Sequence, residues 1–264
     1  MTPVYLSIAG SDCSAGAGIQ ADLKTGFALG CYPLTAITCV VSEVPGHVAG
    51  IVPMEPDFVA SQMRECLRSF PVAAAKTGML YSPEIVRAVA AELPEGLPLV
   101  VDPVMIATAG EALMQSRALE AYEQHLFPRA CIITPNLDEL VCLTGCATPR
   151  TPAELQAAAA ALAQRLHCAV LAKGGHLQGD TCTDILVAAD GRTRIWEHPR
   201  TTGLSTHGTG CTLSAAIAAG LAQGLSMEAS VAQALSYTAA AIAASHRFPH
   251  TPALNHHLPE THLD

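Results

Sequence analysis

The chain has 264 residues, of which half are hydrophobic and 14% are charged, and its formal net charge at pH 7 is −9. This length and composition predict a single α/β domain with a sizeable core, spanning residues 1–264. The acidic balance without a long basic run argues against nucleic acid as a partner. No apolar stretch reaches about 18 residues, which argues against a membrane span.

Apolar runs alternate with helical patterns along most of the chain. The predicted strands are continuous apolar runs, typical of a parallel sheet covered on both faces: Val4–Ala9, Leu34–Val41, Val72–Thr77, Leu99–Asp102, Cys131–Thr134 and Ala169–Lys173. The helices predicted between them are Gly18–Leu29, Asp57–Phe70, Pro83–Leu93, Arg117–Phe127 and Ala153–Leu166. Pro83 and Pro152 suit first helical turns. The alternation predicts βαβ units.

The pattern changes in the last third of the chain. Thr183–Ala189 and Arg192–His198 flank Asp190-Gly191, which predicts a hairpin and antiparallel edge strands. Two alanine-rich helices follow, at about 210–222 and at Met227–Ser245. The tail, 246–264, holds five of the eleven histidines. A metal-binding tail is one alternative, but a poorly ordered terminus is favoured because no carboxylate or cysteine framework accompanies these histidines.

The ten cysteines are scattered, and none forms a C-x-x-C pair. The N-terminus lacks the charged leader and long apolar run of a signal peptide. Buried, reduced thiols in a cytoplasmic protein are therefore expected for nearly all of them.

A first glycine cluster, Gly16-Ala17-Gly18-Ile19-Gln20-Ala21, matches the dinucleotide pattern G-x-G-x-x-A after the first strand. The preceding loop is longer than a tight strand-to-helix turn, and Asp22 and Lys24 stand where that pattern expects packing residues. A loop that closes over a small substrate is the favoured interpretation. No phosphate-binding G-x-x-x-x-G-K-[ST] motif occurs.

A second glycine cluster runs from Thr206 through Gly208, Thr209, Gly210 and Cys211 into a helical segment. Glycines at a helix start bring free N–H groups and the positive end of the dipole close to an anion. A flexible helix entry is the alternative. A helix N-terminus also lowers the pKa of a thiol, so Cys211 could accept a proton, the alternative being a buried inert cysteine.

Polar residues stand at the ends of several predicted strands. Asn136 and Glu139, three apart at a helix start, could hold Mg²⁺ through its waters, or they could form a capping box. Lys173 and Asp102 each end a strand, where ligands of α/β sheets bind.

These motifs together resemble the hydroxymethylpyrimidine/phosphomethylpyrimidine kinases of thiamin biosynthesis, within the ribokinase-like superfamily. The matching segments appear in order over nearly the whole chain: Ile8–Asp12, Ala17–Lys24, Lys76–Leu80, Val101–Met105, Ile133–Leu137, Lys173–His176 and His207–Ala216. The resemblance implies a three-layer α/β/α fold with a central, mostly parallel sheet and antiparallel edge strands. It also implies a homodimer that uses ATP and Mg²⁺ to phosphorylate the hydroxymethyl group and then the monophosphate.

The resemblance also implies roles for single residues. The catalytic set is Gly208, Thr209, Gly210 and Cys211, which form an anion hole, together with Lys173. ATP contacts are implied for Lys173, Asn136, Thr206, Gly208 and Gly210. Metal contacts are implied for Asn136, Glu139 and Asp102. The pyrimidine would lie among Gly10, Ala17, Gly18, Asp22, Glu43, Met79 and Val104.

One residue departs from the family pattern. Where the family has a glutamine that binds the aminopyrimidine, this chain has Glu43, which only accepts hydrogen bonds when ionised. Glu43 therefore needs a protonated ring nitrogen or must carry the proton itself, unless it is a solvated loop residue. A pyridoxal kinase and a non-catalytic pyrimidine sensor are the rival functions. The cysteine of the glycine turn disfavours a pyridoxal kinase, and the ATP-binding residues disfavour a non-catalytic sensor.

Overall fold

The computed structural model describes residues 1–105, 118–175, 177, 179–200 and 207–258. Its centre is a nine-stranded sheet of order β3-β2-β1-β4-β5-β6-β7-β8-β9. The strands are β1 Val4–Asp12, β2 Tyr32–Val44, β3 His47–Pro53, β4 Ala74–Thr77, β5 Leu99–Val101, β6 Ile132–Ile133, β7 Ala169–Ala172, β8 Thr181–Val187 and β9 Thr193–Pro199. Strands β2, β1, β4, β5, β6 and β7 are parallel, whereas β3, β8 and β9 are antiparallel additions at the edges.

Helices cover both faces of the sheet. They are α1 Gly18–Ala28, α2 Pro56–Ser69, α3 Pro83–Glu92, α4 Ala118–Ala121, α5 Leu137–Thr144, α6 Pro152–Leu166, α7 Thr209–Ala222 and α8 Met227–Ala243. One core contains Val59, Val86 and Leu140 from helices on the first face, and the other contains Leu213 and Val231 from α7 and α8. The predicted three-layer α/β/α architecture is confirmed.

Local signals account for several helix boundaries. Helices α3 and α6 begin at Pro83 and Pro152, as predicted, behind the capping residues Ser82 and Thr151. The helix predicted over 117–127 is described only from Ala118 onward. There α4 passes into a π-helical turn and then a 3₁₀ turn that contains Pro128, because proline cannot continue an α-helical hydrogen-bond ladder.

The edges of the sheet differ partly from the sequence-based expectation. The β8–β9 hairpin is confirmed, with Gly191 at φ +86° in its turn. Strand β3 was missed, because its sequence, His47–Pro53, contains Ala49-Gly50 and little hydrophobic alternation. It pairs with the end of β2, and Glu43 thereby lies in a strand rather than in a loop.

The expectation of a poorly ordered tail is wrong for residues 246–258. A two-stranded ribbon, β10 His246–Arg247 and β11 Pro252–Ala253, leads to a buried segment. His256 is 5% exposed, its Nε2 lies 2.9 Å from Thr212 Oγ1, and its carbonyl accepts from the Tyr237 hydroxyl. The tail at His256 is therefore packed against the first turn of α7, which sequence composition could not indicate.

All ten cysteines are free thiols, but only Cys31, Cys39, Cys168 and Cys182 are buried, so the expectation that nearly all of them are buried is wrong. Among the residues that the structure describes, no helix is long and apolar enough to cross a membrane.

Candidate active site

The carboxyl ends of the parallel strands bring the predicted residues to one edge of the sheet. Asp12 ends β1, Asp102 directly follows β5, and Lys173 directly follows β7. The sheet order reverses between β1 and β4, and such a reversal opens a ligand crevice at this edge in α/β folds. The candidate site is therefore the crevice along this edge of the sheet, from β2 to β7.

Asp102, Lys173 and Gly210 meet at the centre of this crevice. Lys173 Nζ lies 3.3 Å from Asp102 Oδ1, and Asp102 is 2% exposed. A side-chain carbon placed at Gly210 would lie 3.3 Å from Lys173 Nζ and 3.4 Å from Asp102 Oδ2. Burial works to lower the pKa of Lys173, but Asp102 and Glu139 outweigh it and raise this pKa, so the lysine stays charged.

Asn136 and Glu139 form a complete capping box at the start of α5. The Asn136 side chain accepts from the Glu139 N–H at 2.9 Å, and Glu139 Oε2 accepts from the Asn136 N–H at 2.8 Å. Burial raises the pKa of Glu139 to about 7, against the opposing effect of Lys173, and Asp102 raises it further. The capping box is thus observed. The carboxylates of Glu139 and Asp102 both lie near Lys173.

The second glycine cluster forms the entry to α7, as predicted. Gly208 is the N-cap with φ +82°, a left-handed conformation that favours glycine. A side-chain carbon there would lie 1.8 Å from the Gly16 carbonyl, so the turn packs directly on the first glycine loop. Thr209 begins the 14-residue helix. Thr206 lies outside the described residues.

The surroundings of Cys211 favour one of the two states that the sequence left open for its thiol. Burial raises the pKa of its thiol to about 12, and the nearby carboxylates of Asp22 and Asp102 add to the rise, although Lys76 opposes it. Of the two alternatives for Cys211, a buried and inert thiol is therefore favoured over a proton acceptor. Removal from water outweighs the helix dipole here, so the group is a neutral thiol at pH 7.

A small apolar cluster lies beside Gly10 of β1, towards β2. It contains three buried side chains, Cys39, Val41 and Met79, with Val104 packed against them. A side-chain carbon at Gly10 would lie 2.8 Å from Cys39 Sγ. The structure thus brings together the predicted residues Gly10, Met79 and Val104, and β2 contributes Cys39 and Val41, which the sequence motifs did not indicate.

Glu43 lies on β2 at the end of this cluster and is half-buried. Its backbone N–H and carbonyl both contact the Cys13 thiol. Burial raises the pKa of the Glu43 carboxyl, Asp12 raises it further, and His207 opposes the rise. Glu43 therefore retains a proton to higher pH than an exposed glutamate does, and the interpretation as a solvated loop residue is not supported.

Asp22, predicted to contact the substrate, forms a fully buried ion pair. Lys76 Nζ lies 2.9 and 2.8 Å from its two carboxylate oxygens, and the Ser7 hydroxyl also donates to it. Both charged side chains are completely inaccessible. Asp22 thus supports the floor of the site, and its contact with a substrate stays a prediction.

The loop of the first glycine cluster is folded around an aspartate. The N–H groups of Gly16 and Ala17 donate to Asp12. Gly18 has φ +57°, and a side-chain carbon there would lie 2.3 Å from the Gly10 carbonyl. Because the loop amides are occupied by Asp12, the sequence match to a dinucleotide fingerprint is not supported, and the loop is a wall of the crevice.

Two aspartates of the site region were missed by sequence reasoning. Asp12 is one, and its position before Ser14 and two glycines is a recognisable signal for a side-chain-stabilised turn. Asp184 on β8 is the other. It is 6% exposed, and its Oδ1 accepts from the Gly174 N–H at 3.0 Å, which holds the turn after Lys173. No local signal marks it.

The fold and the crevice define a small-molecule kinase of the ribokinase-like class. The pyridoxal kinase from Staphylococcus aureus in complex with ADP superimposes with a TM-score of 0.88 at 32% identity, covering 97% of this chain and 94% of that chain. The phosphomethylpyrimidine kinase from Clostridium difficile 630 superimposes with a TM-score of 0.77 at 35% identity, covering 90% of this chain and 98% of the other. A family model described as phosphomethylpyrimidine kinase matches residues 12–255, and the chain belongs to that family.

Curated relatives agree with this assignment. The hydroxymethylpyrimidine/phosphomethylpyrimidine kinase of Rhizobium meliloti is 43% identical over 248 residues, covering 94% of this chain and 93% of the relative. The enzyme of the same name from Streptomyces coelicolor is 44% identical over 245 residues, covering 92% and 89%. The resemblance predicted from the sequence motifs is confirmed.

Proposed function

We propose that this protein transfers the γ-phosphoryl group of ATP to the hydroxymethyl oxygen of 4-amino-5-hydroxymethyl-2-methylpyrimidine, and then to the resulting monophosphate, in thiamin biosynthesis. The observation that carries the proposal is the meeting of Gly210, at the start of α7, with Lys173 and Asp102. The apolar cluster lies on one side of this point and the polar strand ends lie on the other. Family membership supports both the substrate and the donor.

In this proposal the chain works by alignment and neutralisation of charge. The amides of the Gly208–Cys211 turn receive the transferring phosphoryl group, and Lys173 contacts the ATP phosphates, with Asn136 on the nucleotide side. Gly10, Ala17, Gly18, Met79 and Val104 enclose the pyrimidine. Phosphoryl transfer needs positioned positive groups more than a strong base, which agrees with a neutral Cys211.

A magnesium ion fits the nucleotide end. Among the described residues no group of three or more histidines, cysteines, aspartates or glutamates could hold a metal by itself. Mg²⁺ does not need such a cage, because it keeps several waters and uses one or two carboxylates with the phosphates. Asp102 and Glu139 supply those carboxylates, and the Asn136 amide lies beside them. Burial, and then Asp102, raises the pKa of Glu139, and a bound cation would favour its charged form. When bound, the ion would neutralise phosphate charge.

Glu139→Gln should raise the Mg²⁺ concentration needed for half-maximal rate several-fold. The amide oxygen still accepts from the Asn136 N–H, so the capping box is kept while the anionic contact to the hydrated ion is lost. A Mg²⁺ titration of the initial rate measures this, with the melting temperature as control. An unchanged titration with a lower melting temperature would show that Glu139 is only a cap.

Cys211→Ser should slow both transfers equally, by less than about tenfold. The thiol with a pKa of about 12 is not an effective base at neutral pH, so serine replaces one positioning group by another. Separate rate measurements with the hydroxymethyl and monophosphate substrates test this. General-base catalysis contributes about 10² to 10⁴-fold, and a loss of that size confined to the hydroxymethyl step would make Cys211 the base.

Glu43 should make pyrimidine binding depend on pH. Its carboxyl has a raised pKa, so one proton can be shared between it and the ring nitrogen beside the exocyclic amine. Binding should weaken as pH rises past this coupled protonation, since an ionised carboxylate then faces a lone pair. Glu43→Gln should flatten the dependence and keep alkaline binding. Calorimetric titrations of the wild type and of Glu43→Gln at several pH values decide this. Identical pH profiles of the two proteins would show that Glu43 does not contact the pyrimidine.

The direct test of the proposed function is an ADP-release assay with three acceptors. We expect turnover with the hydroxymethylpyrimidine and with its monophosphate. Pyridoxal is the third acceptor, because the Staphylococcus aureus pyridoxal kinase was solved in complex with AMP-PCP and pyridoxal and has a TM-score of 0.86 with this chain. Turnover of pyridoxal without either pyrimidine would overturn the proposal. Binding of a pyrimidine without any ADP release would favour a sensor.

The homodimer and the cytoplasmic location stay predictions. Exposed apolar side chains on the outer face of the β2–β3 hairpin support the dimer: Val40 and Val52 are register partners that are 44% and 64% exposed. A second copy of the chain would remove these side chains from water. The ten free cysteines agree with a reducing compartment.

A further inference from the structure

Asp12, the last residue of β1, is the centre of a hydrogen-bond network for which the proposed chemistry has no role. Its carboxylate is 1% exposed. It accepts from the Ser14 N–H at 2.7 Å and hydroxyl at 2.9 Å, and from the N–H groups of Gly16 at 3.1 Å and Ala17 at 2.8 Å. Successive amides that converge on one anion form a nest. Asp12 therefore determines the shape of the loop at residues 12–17.

One donor to Asp12 comes from a distant part of the chain. His207 Nε2 lies 2.9 Å from Asp12 Oδ2, across 195 positions of sequence. Burial works to raise the pKa of Asp12, but hydrogen bonds from His207, Ser14 and Ala17 outweigh it and lower the pKa to about 2. The carboxylate is thus an acceptor only, and Nε2 carries the hydrogen. Such a charge-assisted bond is stronger than one between neutral groups.

The two segments that this bond joins also touch through their backbones. His207 immediately precedes Gly208, the N-cap of α7. A side-chain carbon at Gly16 would lie 2.7 Å from His207 Cδ2, and one at Gly208 would lie 1.8 Å from the Gly16 carbonyl. Neither glycine leaves room for a side chain. The loop at 12–17 and the turn at 207–211 therefore have a close fit, with the Asp12–His207 bond on its buried side.

We propose that Asp12 and His207 form a positioning pair that holds the pyrimidine-side loop in register with the phosphate-side turn. The inference rests on the proposed function, in which the loop at Ala17 and Gly18 encloses the acceptor and the Gly208–Cys211 turn receives the phosphoryl group. A shift of His207 moves the first amides of α7 relative to the acceptor oxygen. Misplacement by about 1 Å can cost about 10²-fold in rate. Neither residue touches the reacting atoms; both act through the two backbone segments.

His207→Phe tests the pair, because phenylalanine keeps a ring and removes the donor. We expect kcat to fall by about 10- to 100-fold for both transfers. The KM for ATP should change by less than about threefold. Lys173 contacts the ATP phosphates from the end of β7, and the Asp12–His207 pair does not hold that segment. His207→Gln places an amide N–H at a reach similar to that of Nε2, and it should recover kcat to within about threefold of wild type. His125→Phe, the same change at an exposed histidine in the turn after α4, is the matched control.

Hydrogen exchange at the amides of Ser14, Gly16 and Ala17 gives a second measurement that does not depend on activity. These amides donate to Asp12, so His207→Phe should speed their exchange, and His207→Gln and His125→Phe should not. If the wild type phosphorylates neither pyrimidine, the proposed function fails while the exchange still reports on the pair. If His207→Phe keeps the wild-type exchange rates at these amides and a kcat within about twofold of wild type, the proposed positioning pair is overturned. A His207→Gln variant as slow as His207→Phe overturns the role of the hydrogen bond.

Discussion

Gly210→Asp is expected to reduce turnover by at least about 10²-fold while the protein stays folded. A side-chain carbon at this position lies 3.3 Å from Lys173 Nζ and 3.4 Å from Asp102 Oδ2. The added carboxylate would therefore compete with phosphate for the lysine and repel the charge that develops on the transferring group. Removal of one stabilising donor from such a site costs about 10² to 10³-fold elsewhere, and an added negative charge should cost no less.

Gly210→Asn is the matched control, because it has the same size without the charge. We expect it to retain clearly more activity than Gly210→Asp, with an equal melting temperature. Initial rates of ADP release at saturating ATP and pyrimidine measure the difference. Near-normal turnover of Gly210→Asp would refute the placement of the phosphate at this turn. Equal losses in both variants would show that crowding, and not charge, is responsible.

Lys76→Met is expected to lower the free energy of unfolding by about 3–5 kcal/mol, because it leaves the Asp22 carboxylate buried and without its counter-charge. Lys76 Nζ contacts both carboxylate oxygens, and both side chains are inaccessible to water. For a chain of this size each kcal/mol corresponds to about 2–4 °C in melting temperature. The expected fall is therefore on the order of 10 °C.

The double variant Asp22→Asn, Lys76→Met separates the charge effect from the loss of packing. It removes both charges, and we expect it to recover most of the lost stability, since replacement of a whole buried pair costs far less than removal of one partner. Lys24→Met, at an exposed lysine of the same helix as Asp22, should change stability little. Thermal and urea unfolding measure all four proteins. A loss below about 1 kcal/mol in Lys76→Met would show that the pair is dispensable.

If the double variant is stable but inactive, the role of Asp22 in binding the pyrimidine gains support. If it is stable and active, Asp22 is a structural residue only. The comparison thereby tests a residue whose role the sequence motif alone could not decide, because the same carboxylate can contact a ligand or neutralise a lysine.

The sequence by itself determined the architecture and the order of the site along the chain. Continuous apolar strands alternating with helices can pack only as a covered parallel sheet, so the ends of those strands had to meet at one edge. Asp102 and Lys173 were placed correctly on this ground. The glycine turn before α7 was also evident, because a helix N-terminus and its dipole are local properties of the chain.

Only the tertiary structure decided the protonation and the partners of the buried groups. The pKa of Cys211 is raised to about 12 because the fold removes the thiol from water, which no helix-start rule can anticipate. The Lys76–Asp22 pair joins residues 54 positions apart, and the Asp12–His207 bond joins residues 195 apart. Such contacts depend on how distant segments pack, and burial, which sets their energies, exists only once the sheet and both helical layers have assembled.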